Sequence, residues 1–123
     1  MSMTTLVVLS DPTGGDEALG RLYNALAATY DFKQQRRDVQ LVFQGAGTRW
    51  TGLLGQPDHP AHALYQAVAD KVAGASSACA DVFGARADAQ ANGFTLLTGN
   101  AVPGTSGLPS LAAYAADGPV ITF

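Results

Sequence analysis

Cysteine is nearly missing from these 123 residues. Cys79 stands alone, which excludes an intramolecular disulfide and leaves a thiol that is either packed as a small hydrophobe or put to chemical use. Charge is scarce too. Only 14% of residues are charged, and the seven lysines and arginines are scattered, with Arg36-Arg37 the one adjacent pair. At a net charge of −3, with no basic stripe to neutralise phosphates, a nucleic-acid partner is excluded. No apolar run approaches the roughly 18 residues of a membrane span. The stretch ahead of Asp11-Pro12 lacks basic residues and is too short for a secretion signal. A cytoplasmic protein with no membrane partner is expected. Neither a Gly-Lys-Ser/Thr phosphate loop nor a Gly-x-Ser-x-Gly elbow is present.

What the chain does have is apolar bulk, 47% of its residues, in a length that suits one domain, 1–123. Thr4 to Ser10 is a β-branched apolar run that reads as a buried strand. A Gly-rich loop follows, with Asp16 as the expected helix cap. Leu19, Leu22, Tyr23, Leu26 and Tyr30 then recur at helical spacing over about 17–30. Val39 to Phe43 reads as the second strand, 48–54 as a short helix around Trp50, and Pro60 as the opening of another helix. Small residues from Ala73 to Cys79 read as a third strand, although a helix through them is an alternative. A helix over about 80–91, a strand at Phe94–Leu97, a helix at Leu108–Ala116 and a last strand at Pro119–Phe123 complete the pattern. Strands alternating with helices predict a flavodoxin-like α/β domain, its five-stranded, mainly parallel sheet covered by helices on both faces.

In such a sheet the loops after the strands share one edge, where ligands and chemistry gather. That edge collects Asp11, Thr13 and Gly14, then Gln44 and Gly45, then Cys79, then Gly99 and Asn100. Trp50 is expected to wall this pocket or to meet a second subunit. A thiol at a strand-to-helix junction is favoured as an anion by the helix dipole and backbone amides. Against this, no Lys or Arg adjoins Cys79, Arg86 lies seven residues on, and Asp81 opposes negative charge unless it is directed elsewhere. Asp11 and Asp16 disfavour a phosphate in the first loop, which reads better as a tight turn with a helix cap. His59 and His62, close to Asp58, have the spacing of a weak metal motif; helix capping suits them better, and neither a metal nor another cofactor is expected.

The order and spacing of these parts resemble the DsrE/DsrF-like family of small sulfur-transfer proteins over nearly the whole chain. The features are the D-P-T-G-G-D-E-A loop after the first strand, V-Q-L-V-F-Q-G-A-G at the second, S-S-A-C-A around the single cysteine, and the late G-L-P-S-L-A-A-Y segment before P-V-I-T-F. The resemblance implies trimers or hexamers. It also implies that Cys79 carries sulfane sulfur as a persulfide between a donor and an acceptor protein. Asp11, Thr13, Gln44 and Asn100 would shape its surroundings. The alternative is a non-catalytic oligomeric module that binds a small molecule or nucleotide at the glycine-lined edge and has an inert thiol.

Overall fold

The computed structural model describes residues 2–123. Strand β1 (Thr4–Val8) is buried along its entire length, as an apolar β-branched run with strands on both flanks should be. Helix α1 (Gly15–Gln34) follows and turns Ala18, Leu22, Ala25, Leu26 and Thr29 inward. It is longer than its apolar spacing predicts. Asp16 stands in the first turn rather than at the cap, which falls at Gly14 with no side-chain hydrogen bond. Asp16 and Glu17 instead complement the positive end of the helix. The inward stripe runs through small residues, which leaves Tyr23 and Tyr30 exposed.

The remaining elements are β2 (Val39–Phe43), a 3₁₀ segment (Gly45–Gly52), α2 (His62–Val68), β3 (Val72–Ser76), α3 (Ser77–Val82), α4 (Arg86–Ala91), β4 (Leu96–Leu97), α5 (Leu111–Asp117) and β5 (Val120–Thr122). All strand pairings are parallel, in the order β4-β3-β2-β1-β5. This is the flavodoxin-like α/β class expected. The chain steps in one direction from β1 to β4 and then returns to the far flank for β5. Right-handed crossovers therefore place the helices between β1 and β4 on one face and α5 on the other. On the first face Leu6, Val8, Leu41 and Phe43 meet Leu22, Leu26, Leu54 and Val68. On the second face Gln40 donates to Thr5 Oγ1 at 2.9 Å, and α5 contributes no buried side chain.

Three local expectations are corrected. The third strand ends at Ser76, so Cys79 lies inside α3. The helix expected over 80–91 is two helices, because Gly84 at φ +69° breaks it. Trp50, expected at a pocket wall or subunit contact, is core: it is 1% exposed and donates its indole N–H to the Ser10 carbonyl at 2.9 Å. The cause is Gly47, where a Cβ would sit 2.2 Å from the Val8 carbonyl oxygen. Only glycine lets the 3₁₀ segment press onto the end of β1 and carry Trp50 inward.

Candidate functional site

Cys79 is half-buried and occupies the first turn of α3, directly after a strand flanked by β2 and β4. Its backbone N–H donates to Ser76 Oγ at 3.3 Å, the side-chain cap of α3. Ser76 is fully buried, so the cap fixes where the helix starts and which way the cysteine faces.

Asp81 is drawn away from the thiol. The Arg86 guanidinium donates to its carboxylate from Nε and from Nη2, the latter at 3.2 Å, and Ser106 Oγ donates to Oδ2 at 2.7 Å. The hydrogen bond from Arg86, then that from Ser106, hold the Asp81 carboxyl below the usual carboxylate range, and the same pairing pushes Arg86 up. Arg86 Nη2 also reaches Ser77 Oγ at 2.7 Å, and the Ser77 and Ser106 hydroxyl oxygens are 2.7 Å apart. Since the one proton of Ser106 goes to Asp81, the proton between the serines comes from Ser77. Ser77 and Asp81 share a helix face at i, i+4, and Cys79 lies off that face. The cluster clamps the loop after β4 to α3, helped by the bond from the Ala78 N–H to the Gly107 carbonyl at 2.8 Å.

A second ion pair stands on the other side. Phe83, four residues beyond Cys79, donates its N–H to the Cys79 carbonyl. The Phe83 carbonyl accepts from Arg49 Nε at 3.1 Å, and the Arg49 guanidinium carbon lies 5.5 Å from the Phe83 ring centroid. Arg49 Nη1 reaches Asp11 Oδ2 at 3.0 Å. Asp11 in turn accepts from the Thr13 N–H at 3.0 Å and, through its carbonyl, from the Gly14 N–H. This is the tight turn that the sequence predicts. The Thr13 backbone bond, with Arg49 adding to it, lowers the Asp11 carboxyl below its ordinary value. Asp11, Thr13 and Gly14 thus form a self-satisfied turn tied to α3 through Arg49.

Gln44 and Asn100 do come together. They line a cavity of about 350 Å³ with Leu108, Pro109, Ser110, Leu111 and Ala112, and Gly99 lies against Ser110. Cys79 is not among the residues lining it. Gly45 takes a left-handed φ of +59° and packs under Leu9, which serves the chain path. The histidines are engaged locally: His59 Nδ1 accepts from the Ala61 N–H, and His62 Nδ1 is 2.7 Å from the Leu54 carbonyl, which makes that nitrogen the donor. Among the described residues no group of three or more His, Cys, Asp or Glu side chains could hold a metal ion.

Sequence reading missed Arg49 and Ser106 as partners of the Asp11 turn and of the Asp81 cluster. One signal was available: in a chain with so few cations, Arg49 sits in an otherwise uncharged segment after the second strand.

No family model matches the chain, and no curated protein matches it by sequence. Its backbone is similar to the crystal structure of the ychN protein from E. coli, with a TM-score of 0.61 at 20% identity over 100% of both chains. That likeness extends to the fold. Among the described residues no helix is long and apolar enough to cross a membrane.

Proposed function

We propose that this chain is a sulfur carrier of the DsrE/DsrF-like kind, with Cys79 as the carrying residue. The observation that carries the reading is the setting of Cys79: half-buried, in the first turn of α3 at the strand-end edge, with Asp81, two residues on, paired to Arg86. The whole-chain likeness to a solved structure and the order of sequence motifs support it more coarsely.

The chemistry is a sulfane exchange. The Cys79 thiolate attacks the outer sulfur of a donor persulfide, R–S–SH. The donor S–S bond breaks, R–S⁻ leaves with the electron pair, and Cys79–S–SH forms. An acceptor thiolate then attacks that outer sulfur and returns Cys79 as thiolate. Each step exchanges one S–S bond for another, so no outside oxidant or reductant is consumed. Donor and acceptor proteins are therefore needed, and a metal is not.

We place the carrier in a homo-oligomer, a trimer or hexamer. Leu9, Leu111 and Ile121, each more than 40% exposed, belong to the β1, β5 and α5 flank, and they support that assembly.

Incubating the intact protein with a sulfane donor and weighing it tests the reading. A gain of about 32 Da per sulfur atom, removed by cyanide and absent in Cys79→Ser, is expected. An unchanged mass together with slow Cys79 alkylation across neutral pH overturns it.

A further inference from the structure

We infer that the cavity between Gln44 and α5 is a binding site for a small, planar, uncharged ligand whose edge carries a hydrogen-bond donor beside an acceptor, as a carboxamide or a nucleobase does. The cavity holds about 350 Å³, within the range of small-ligand pockets, roughly 300–1,000 Å³. No charged residue lines it, so an ion entering would lose hydration with nothing to replace it. Its apolar surface comes from Leu108, Pro109 and Leu111, flat or branched side chains suited to a ring face.

Its polar groups are two primary amides. The Gln44 side-chain oxygen is buried with no hydrogen-bond partner. The Gln44 backbone is already committed, its N–H to Val8 and its carbonyl to Gly47. Buried polar atoms in folded proteins are nearly always paired; this oxygen is sealed behind the cavity wall, and the residue that bears it borders the cavity, so turning the amide would give the oxygen a partner there. Rotation about the terminal bond of Gln44 presents either its oxygen or its NH₂ to the cavity. Asn100 also lines it, its backbone held by two bonds to Leu108 and the residue exposed. Ser110 Oγ is spent on capping α5. An amide offers one donor and one acceptor side by side, and the edge it matches offers the reverse pair. This site is separate from the thiol and does not depend on sulfur transfer.

The test is a ¹⁵N-resolved NMR titration of the full chain with nicotinamide, with benzoate as the same-sized anionic control. Saturable shifts confined to Gln44, Asn100 and Leu108–Ala112 are expected, with benzoate at least about tenfold weaker. Gln44→Leu should weaken nicotinamide by about tenfold while raising the melting temperature, since it removes an unpaired buried amide. Cys79→Ser should leave binding unchanged, so failure of the sulfur reading and failure of this one are read separately. Absence of saturable shifts at these residues, equal binding of benzoate, or unaltered affinity in Gln44→Leu overturns the proposal.

Discussion

Asp81 shows how a single carboxylate can decide the character of a neighbouring thiol. Read along the sequence it lies two residues past Cys79 and opposes an anion there. In the fold Arg86 and Ser106 absorb it. Its folded-state pKa is depressed by the Arg86 hydrogen bond first and the Ser106 bond second. The sign follows: the clamp is at full strength above the unfolded Asp value of about 3.9 and is lost as pH falls through the lower folded value. Hydrogen exchange at the Ala78 amide, which donates to Gly107 across the clamp, is the readout. Once the intrinsic pH dependence of exchange is divided out, protection should hold from neutral pH to about 4 and decline below that. Asp81→Asn should lose protection at neutral pH, with little change in global stability, because these groups are solvent-exposed and exposed pairs contribute little. Full protection in Asp81→Asn would show that the backbone bond alone holds the loop.

At the scale of elements, β1 and β2 were legible because their apolar β-branched runs leave no helical reading, and α1 because its apolar spacing is long and regular. The β3–α3 junction was legible only in outline. Gly74, Ala75, Ser76, Ser77 and Ala78 lack the side-chain bulk that separates strand from helix, and the boundary is set by the local Ser76 cap on the Cys79 amide, which the adjacent Ser77 could equally have supplied one residue on. The break at Gly84 was hidden because one glycine in a helical pattern is usually tolerated. Of the candidate site, the sharing of one sheet edge by Gln44, Asn100 and Cys79 could be read from topology, and Gln44 and Asn100 line one cavity there. The burial of Trp50 could not, since it depends on Gly47 approaching the Val8 carbonyl. That approach makes a test of the element: in Gly47→Ala the new methyl meets backbone 2.2 Å away, with no flexible side chain to yield. The 3₁₀ segment must lift, at a cost near the upper end of the roughly 1–3 kcal/mol for overpacking. Urea unfolding measures the loss, and the fluorescence of the single tryptophan should shift red in the native state. A variant as stable as the parent, with unchanged emission, would mean that β1 accommodates the methyl.

The whole molecule is lopsided. Among the described residues, four of the five α-helices lie between β1 and β4 in the chain and cover one sheet face, and the seven-residue α5, without one buried side chain, covers the other. Its two edge strands, β4 and β5, are two and three residues long. Edges that short present few unpaired backbone groups, so assembly by adding strand to strand is disfavoured and assembly by apolar flanks is the remaining route. Leu9 at 45% and Leu111 at 43% exposure, the latter among the alanines of α5, and Ile121 at 41% on the opposite sheet face, where its pairing partner Leu6 points, offer such flanks, and a net charge of −3 raises only weak repulsion between copies. For the trimer or hexamer that the family resemblance implies, light scattering after gel filtration should give three or six times the 12.6 kDa chain mass. Ile121→Lys combined with Leu111→Lys should return the mass to a single chain, because each lysine would have to be desolvated at the contact without a partner. Both side chains are too exposed for the pair to unfold the core, and far-ultraviolet circular dichroism would verify this. A parent that runs as a monomer at every concentration would remove the assembly, while a multimer untouched by the two lysines would move it to another face.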